Sequence, residues 1–401
     1  MKLAEVSFQF SGWLAHYPMH VIDRVTPNTA LEVMRKGARR PTLKDKVRAL
    51  MLRIASIFFS HSHPFSGYRV TAKTLRAGDV RVVLSVLYRP AAELDPSERF
   101  GAPPKSSYFG DLMDDLEEVE TEVGNHDRSQ IRTVHRRTEL DACVDDGAIA
   151  LIHSVEGGFH LGANIEDIDG RVEQLAQCGV AYITVAHLFF RGVAAVAPAL
   201  PFLSDRAYDC LFPQRAGDGL TALAETTIRA MAKHRILVDV SHMRGDALNE
   251  TFQLLDEVDP ERSLPVISTH AGYRFETLDY MHDERTIQRI ADRNGLVGLI
   301  MAQHQLLDGL MDEADRPPAD FAESFGYVRR HIDEIARIIG NHRHVAIGSD
   351  FDGFVKPTMT EIENSRDLKT LEDALRAEYG EVVASQIAYQ NTLDVLHRLW
   401  R

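Results

Sequence analysis

ILVDVSH, residues 236–242, is a short run dominated by Ile, Leu and Val that stops on a histidine. Runs of this kind read as strands buried on both faces, the form that strands take in parallel sheets. Four more runs share the pattern: ALIHSVE (150–156) ends on Glu156, AYITVAH (181–187) on His187, PVISTH (265–270) on His270, and HVAIGSD (344–350) on Asp350. In a (β/α)8 barrel the C-terminal tips of the strands build the active site. The expected fold is therefore an α/β (β/α)8 TIM barrel, and carboxylates with imidazoles at several tips point to metal-dependent hydrolysis.

The intervening segments carry helical periodicity. DIDGRVEQLAQCG precedes AYITVAH, GLTALAETTIRAMAKHR precedes ILVDVSH, and RGDALNETFQLLDEV precedes PVISTH. DERTIQRIADRNG then leads to LVGLIM, and YVRRHIDEIARIIGNHR leads to HVAIGSD. Alternation of this kind is the sequence form of βαβ units, whose right-handed crossovers close a sheet into a barrel. VRVVLSVLY (80–88) reads as a further strand, the charged stretch from Asp111 to about Asp146 as helical, and a first strand is expected within VSFQFSGWLAH. The count then reaches eight in one domain spanning residues 1–401, with insertions expected at about 24–70 and 191–218.

Bulk composition narrows the function. The 401 residues carry a net charge of −14, which disfavours a nucleic-acid partner. Three cysteines without CxxC spacing are not a disulfide framework and suggest a reducing, cytoplasmic compartment. The N-terminal twenty residues lack a secretory h-region, and no run approaches about 18 apolar residues, so no stable membrane insertion is expected. KDKVRALMLRIASIFF (44–59) is an amphipathic helix that could cover a partner subunit, which makes a homodimer the partner reading.

His242 and His270 lie 28 residues apart, about one βα unit, and His270 and Asp350 lie 80 apart, leaving room for a further strand at LVGLIM. One rim thus presents Glu156, His242 and His270, a donor set suited to zinc or a similar divalent ion. Such an ion makes hydroxide available at neutral pH, the nucleophile needed to cleave an amide.

Together VEGG at Glu156, VAHL at His187, LVDVSH at His242, PVISTH at His270, HVAIGSDFDG at Asp350 and LRAGDVRVVLSV at 75–86 resemble the membrane (renal) dipeptidase family of the amidohydrolase superfamily. The match covers most of residues 70–355 in order. The resemblance implies that Glu156 bridges two zinc ions and that His242 and His270 hold the second. It implies that His187 steadies the substrate carbonyl without ligating metal, and that Asp350 moves the proton as a bridging hydroxide attacks. The substrate implied is a dipeptide or dipeptide-like small molecule.

Two departures from the family pattern stand out. The family's first strand ends in His-x-Asp, which is not found in the first 70 residues; HYPMH offers His16 and His20 as candidate ligands instead. On a straight strand these two stand roughly 13 Å apart, so sharing one ion needs a turn at Pro18. HSH (61–63) is disfavoured because too few residues separate it from LRAGDV for a crossover helix. If neither binds, one zinc ion rather than two is expected. Second, Tyr280 stands about where the family places an arginine on the substrate carboxylate, leaving Arg274 and Arg191 as candidate replacements. Two alternatives follow: an amidohydrolase acting on another C–N or ester bond, and a non-catalytic small-molecule-binding barrel that has lost its first metal site.

Overall fold

The computed structural model describes residues 69–89, 93, 103–200, 203–214, 219–311, 316–351 and 358–400. Its strands are β1 (Val82–Leu87), β2 (Ile131–Thr133), β3 (Ile149–Glu156), β4 (Tyr182–Thr184), β5 (Leu237–Asp239), β6 (Val266–Ala271), β7 (Leu296–Leu299) and β8 (Val345–Ile347). Every residue of β1 and of β3 to β8 is buried, as expected for a parallel sheet covered on both faces. The order is β1-β3-β4-β5-β6-β7-β8, with every pair parallel. This is the curled parallel sheet of a TIM-barrel fold; seven of its strands are those read between residues 80 and 350, and β2, paired with β3, is added to them. The expected first strand, within residues 6–16, and the helix expected over 44–59 lie outside the described residues, as do His16 and His20.

The helices are α1 (Ala72–Ala77), α2 (Tyr108–Gly124), α3 (Arg137–Asp145), α4 (Ile165–Gln177), α5 (Asp205–Leu211), α6 (Ala222–His234), α7 (Gly245–Val258), α8 (Glu284–Asp292), α9 (Gln303–Leu306), α10 (Phe321–Ile339), α11 (Leu368–Ser385) and α12 (Asn391–Leu399). Several begin where a side chain accepts a free backbone N–H: Thr221 for α6, Asp283 for α8 and Asp320 for α10. Asn391 at the start of α12 donates to the carbonyls of His342 and Val345, docking the C-terminus beside β8. Among the described residues no helix is long and apolar enough to cross a membrane.

One expectation is corrected. The stretch from Asp111 to Asp146 is not one helical segment; α2 stops at Gly124, β2 intervenes, and α3 resumes at Arg137. Asp127 turns the chain by accepting from the backbone N–H and hydroxyl of Ser129, an Asx turn that competes with helix. β2 then pairs with the start of β3, from Ile131 opposite Ile149 to Thr133 opposite Leu151.

The segment between β4 and α6 runs back toward the strand tips. Ala194 bridges Leu220, Val196 bridges Met243, and Arg244 ties α5 to the loop after β6 through Asp209 at 2.6 Å and Asp279 at 2.8 Å.

Gly298 on β7 is where two strand backbones approach closely. A Cβ there would lie 2.2 Å from the Thr269 carbonyl oxygen and 3.2 Å from the Gly348 Cα. Gly298→Ala must therefore push β6 aside next to His270, and chemical denaturation should show a loss of about 1–3 kcal/mol. Wild-type stability in this variant would contradict so close an approach of the strands.

Candidate metal centre

Five side chains at the barrel mouth come from five strands. Glu156 closes β3 and His270 is the penultimate residue of β6, while His187, His242 and Asp350 each stand three residues beyond the last residue of β4, β5 and β8. All five are buried, with exposures from 1% for Glu156 and His270 to 8% for Asp350. His242 (φ 64°) and Asp350 (φ 52°) adopt left-handed backbone, which is costly for residues other than glycine and clusters at functional positions. The His242 carbonyl accepts from Ala197 N–H at 2.7 Å, so the segment after β4 helps hold the turn that aims this ring.

The donor atoms converge. His270 Nε2 lies 3.3 Å and His242 Nε2 3.7 Å from Glu156 Oε1, and the two Nε2 atoms are 2.8 Å apart. Ligands about 2.0 Å from a tetrahedral ion stand about 3.3 Å from one another, so small shifts in the pair would fit the set to one divalent cation. Burial, with the neighbouring charge of His187, holds His242 well below the usual histidine range and His270 at about 3. Both rings are therefore neutral, the state in which imidazole ligates metal. Burial and the charge of Glu156 push Asp350 well above the usual carboxylate range, and its Oδ1 has no hydrogen-bond partner among the described residues.

The supports behind these groups are also buried. Asp239 accepts from Thr184 Oγ1 at 2.6 Å, from Thr269 Oγ1 at 2.6 Å, and from the N–H and hydroxyl of Ser241 at 3.0 and 2.8 Å. Because the Thr269 hydroxyl proton is committed to Asp239, Thr269 Oγ1 is left to accept from His270 Nδ1 at 2.8 Å. That places the lone pair of His270 on Nε2, toward Glu156.

His187 has its own support, from a residue that is not among the sequence candidates. Glu93 Oε1 accepts the backbone N–H groups of Leu188 and Phe189 at 3.1 and 3.2 Å, and Oε2 lies 2.5 Å from His187 Nδ1. Although burial opposes ionisation, His187 and Arg191 hold Glu93 below its ordinary range. Burial likewise opposes charge on His187, but Glu93 and Glu156 outweigh it and raise its pKa. His187 thus donates from Nδ1 to Glu93 and turns Nε2 toward Glu156 Oε2, 3.6 Å away.

Among the candidate substrate residues, Tyr280 is buried edge-on against His242, with centroids 5.1 Å apart. Arg274 donates to the carbonyls of Met281 and Asp279 at 2.8 and 3.2 Å. Arg191 is 1% exposed, lies behind the mouth, donates to the Glu93 carbonyl and the Tyr108 hydroxyl, and stacks over the Tyr108 and Phe159 rings. Nothing in the Pro-rich stretch RPAAELDP distinguishes Glu93 from its acidic neighbours, so only the folded contact could have found it.

Replacing Glu93 by Gln keeps the shape but obliges the amide oxygen to accept from Leu188 and Phe189, turning NH2 toward His187. Such changes behind a site typically cost about 10–100-fold in activity. The expected outcome in steady-state kinetics is a fall in kcat of that size with metal content unaltered; an unchanged kcat would remove the positioning role.

Comparison with known proteins places the chain in a family. The family model for membrane dipeptidase, peptidase family M19, matches residues 51–399. An uncharacterised protein from the pqqA 5′ region of Klebsiella pneumoniae is 25% identical over 279 residues, covering 69% of this chain and 92% of its own. The crystal structure of dipeptidase AC, a family M19 metallopeptidase, superposes with a TM-score of 0.63 at 20% identity, covering 88% of this chain and 96% of that one. A metallopeptidase from Rhodobacter sphaeroides, bound to a phosphinate mimic of the dipeptide L-Ala-D-Ala, also gives 0.63 at 20% identity, covering 92% and 97%. With its match across most of the sequence, the chain belongs to the membrane dipeptidase family and is a metallo-dipeptidase-like hydrolase.

Proposed function

We propose that this metal-dependent hydrolase uses zinc to cleave the amide bond of a dipeptide or dipeptide-like small molecule. The observation that carries the reading is the convergence of Glu156 with the neutral rings of His242 and His270 in a buried mouth, flanked by the Glu93–His187 pair and by Asp350. Glu156, His242 and His270 would hold one ion. His16 and His20 are the proposed source of ligands for a second.

A bound divalent ion lowers the pKa of coordinated water and polarises a carbonyl. The protein's own groups divide the remaining work. His187, oriented by Glu93, offers Nε2–H to the substrate carbonyl oxygen as negative charge develops there. Asp350, disposed by burial and by Glu156 to hold a proton, passes it to the departing amine. The barrel interior and the strap after β4 exclude bulk water, which strengthens both contacts.

The breadth of substrate follows from the same contacts. Arg274 and Arg191 are each engaged with carbonyls of their own surroundings, and Tyr280 packs on His242. These arrangements favour including a second class of substrate, another small amide or ester without a dipeptide's terminal carboxylate. A cytoplasmic location belongs to the same proposal, supported by Cys143, Cys178 and Cys210 being free thiols.

A hydrolysis screen over L,L and L,D dipeptides, N-acyl amino acids and esters tests the assignment. Wild type should hydrolyse at least one of the dipeptides, lose activity on chelation and regain it with Zn2+, whereas His270→Ala should be inactive throughout. Activity surviving that substitution would refute the site. Asp350→Asn should lower kcat by roughly 10²–10⁴-fold while retaining zinc, as expected for loss of an acid/base group. Parallel loss of zinc would instead make Asp350 a ligand.

A further inference from the structure

A second group of metal-ligating side chains lies on the other face of β3. His153 is three positions before Glu156, so strand alternation turns it away from the barrel mouth. It stands where β3 exchanges partners: Val134 N–H still bonds to the Leu151 carbonyl on the β2 side, whereas Ala181 N–H bonds to the His153 carbonyl on the β4 side. Into this fork come Glu120 from α2 and His135 from the link between β2 and α3. Gly179 (φ 76°) closes against His135, leaving no room for a Cβ, which would lie 2.4 Å from the His135 Cα.

Both Nε2 atoms address one carboxylate oxygen. His153 Nε2 is 2.7 Å and His135 Nε2 2.6 Å from Glu120 Oε1, while Glu120 Oε2 is taken by the Thr133 hydroxyl at 2.7 Å. His135 Nδ1 faces Glu139 Oε2 at 3.3 Å, the kind of carboxylate–histidine pairing that stands behind metal-ligating imidazoles. Three donors from three elements thus converge, and two of them already have a second layer of support.

We propose that Glu120, His135 and His153 form a peripheral site for a divalent cation of the zinc type, separate from the catalytic centre. Two imidazoles and one carboxylate are a zinc donor set, with water as a fourth ligand. His153 is fully buried, while the side chains of Glu120 and His135 are 30% and 35% exposed, so the cation can enter from the solvent side. The present 2.6 and 2.7 Å separations are shorter than the about 3.3 Å edge of a tetrahedral zinc site. The half-exposed Glu120 carboxylate can retreat by that amount. A bound cation would clamp α2, the β2–α3 link and β3, the strand that carries Glu156.

The competing arrangement is a hydrogen-bonded His–Glu–His cluster that takes no metal. Although burial opposes it, hydrogen bonds from His135 and His153 keep the Glu120 carboxyl well below its ordinary range, and the bond to Glu120 raises His135. Zinc would have to displace that proton.

The test uses full-length protein stripped with chelator and dialysed against buffered Zn2+, with zinc counted by plasma mass spectrometry and thermal melting followed in parallel. Wild type should hold one zinc equivalent more than His135→Ala and more than Glu120→Gln, which keeps a hydrogen-bond acceptor and guards against a folding defect. Both variants should keep their hydrolytic activity and lose part of the zinc-dependent rise in melting temperature. A His270→Ala background separates this site from the catalytic one: it should retain the peripheral equivalent, and the His135→Ala, His270→Ala double variant should lose it. Equal zinc counts in wild type, His135→Ala and Glu120→Gln would overturn the proposal.

Discussion

Asp239 is the contact on which the barrel mouth depends. A carboxylate without exposure to water is costly unless its oxygens are fully bonded, and here Asp239 at the end of β5 accepts from Thr184 on β4, from Ser241 just beyond β5 and from Thr269 on β6. The same bonds set the heights of β4, β5 and β6 relative to one another. They also commit the Thr269 hydroxyl so that His270 presents a lone pair to Glu156. Spacing of the tips and tautomer of His270 therefore come from one buried group.

Burial then sorts the remaining polar residues by charge. Burial, with the charge of His187 nearby, drives His242 and His270 neutral, while Glu93 keeps His187 prone to carry a proton. Asp350 is pushed the other way, toward its protonated form. Neutral imidazoles at His242 and His270, a His187 whose charged form Glu93 favours and an Asp350 pushed toward its protonated form together make a mouth suited to hydrolysis with a divalent ion. The left-handed backbone at His242 and Asp350 is the conformational cost of aiming those groups.

Much of this was legible in the chain. Val- and Ile-rich runs stopping on Glu156, His187, His242, His270 and Asp350 located five strand tips, because burial on both faces leaves no alternation of polar residues to confuse the pattern. Helices α4, α6, α7, α8 and α10 followed from periodicity. β2 was not legible: three residues with one buried side chain cannot outweigh the helical signal on either side, and only pairing with Ile149–Leu151 stabilises it. Nor was the strand length at the tips, where pairing ends three residues before His187, His242 and Asp350.

The sequence by itself determined the fold class, the order of the chemistry-bearing tips and the family, since these depend on local hydrophobic pattern and on strings of adjacent residues. The tertiary structure alone decided which side chains meet. Glu93 reaches His187 from 94 positions away, Asp239 joins strands 30 and 55 positions distant, and Arg191 turns inward to Glu93 and Tyr108. Such pairings carry no local signature. Each is selected by the need of a buried polar group for a partner, and that need arises only when the strands close around it.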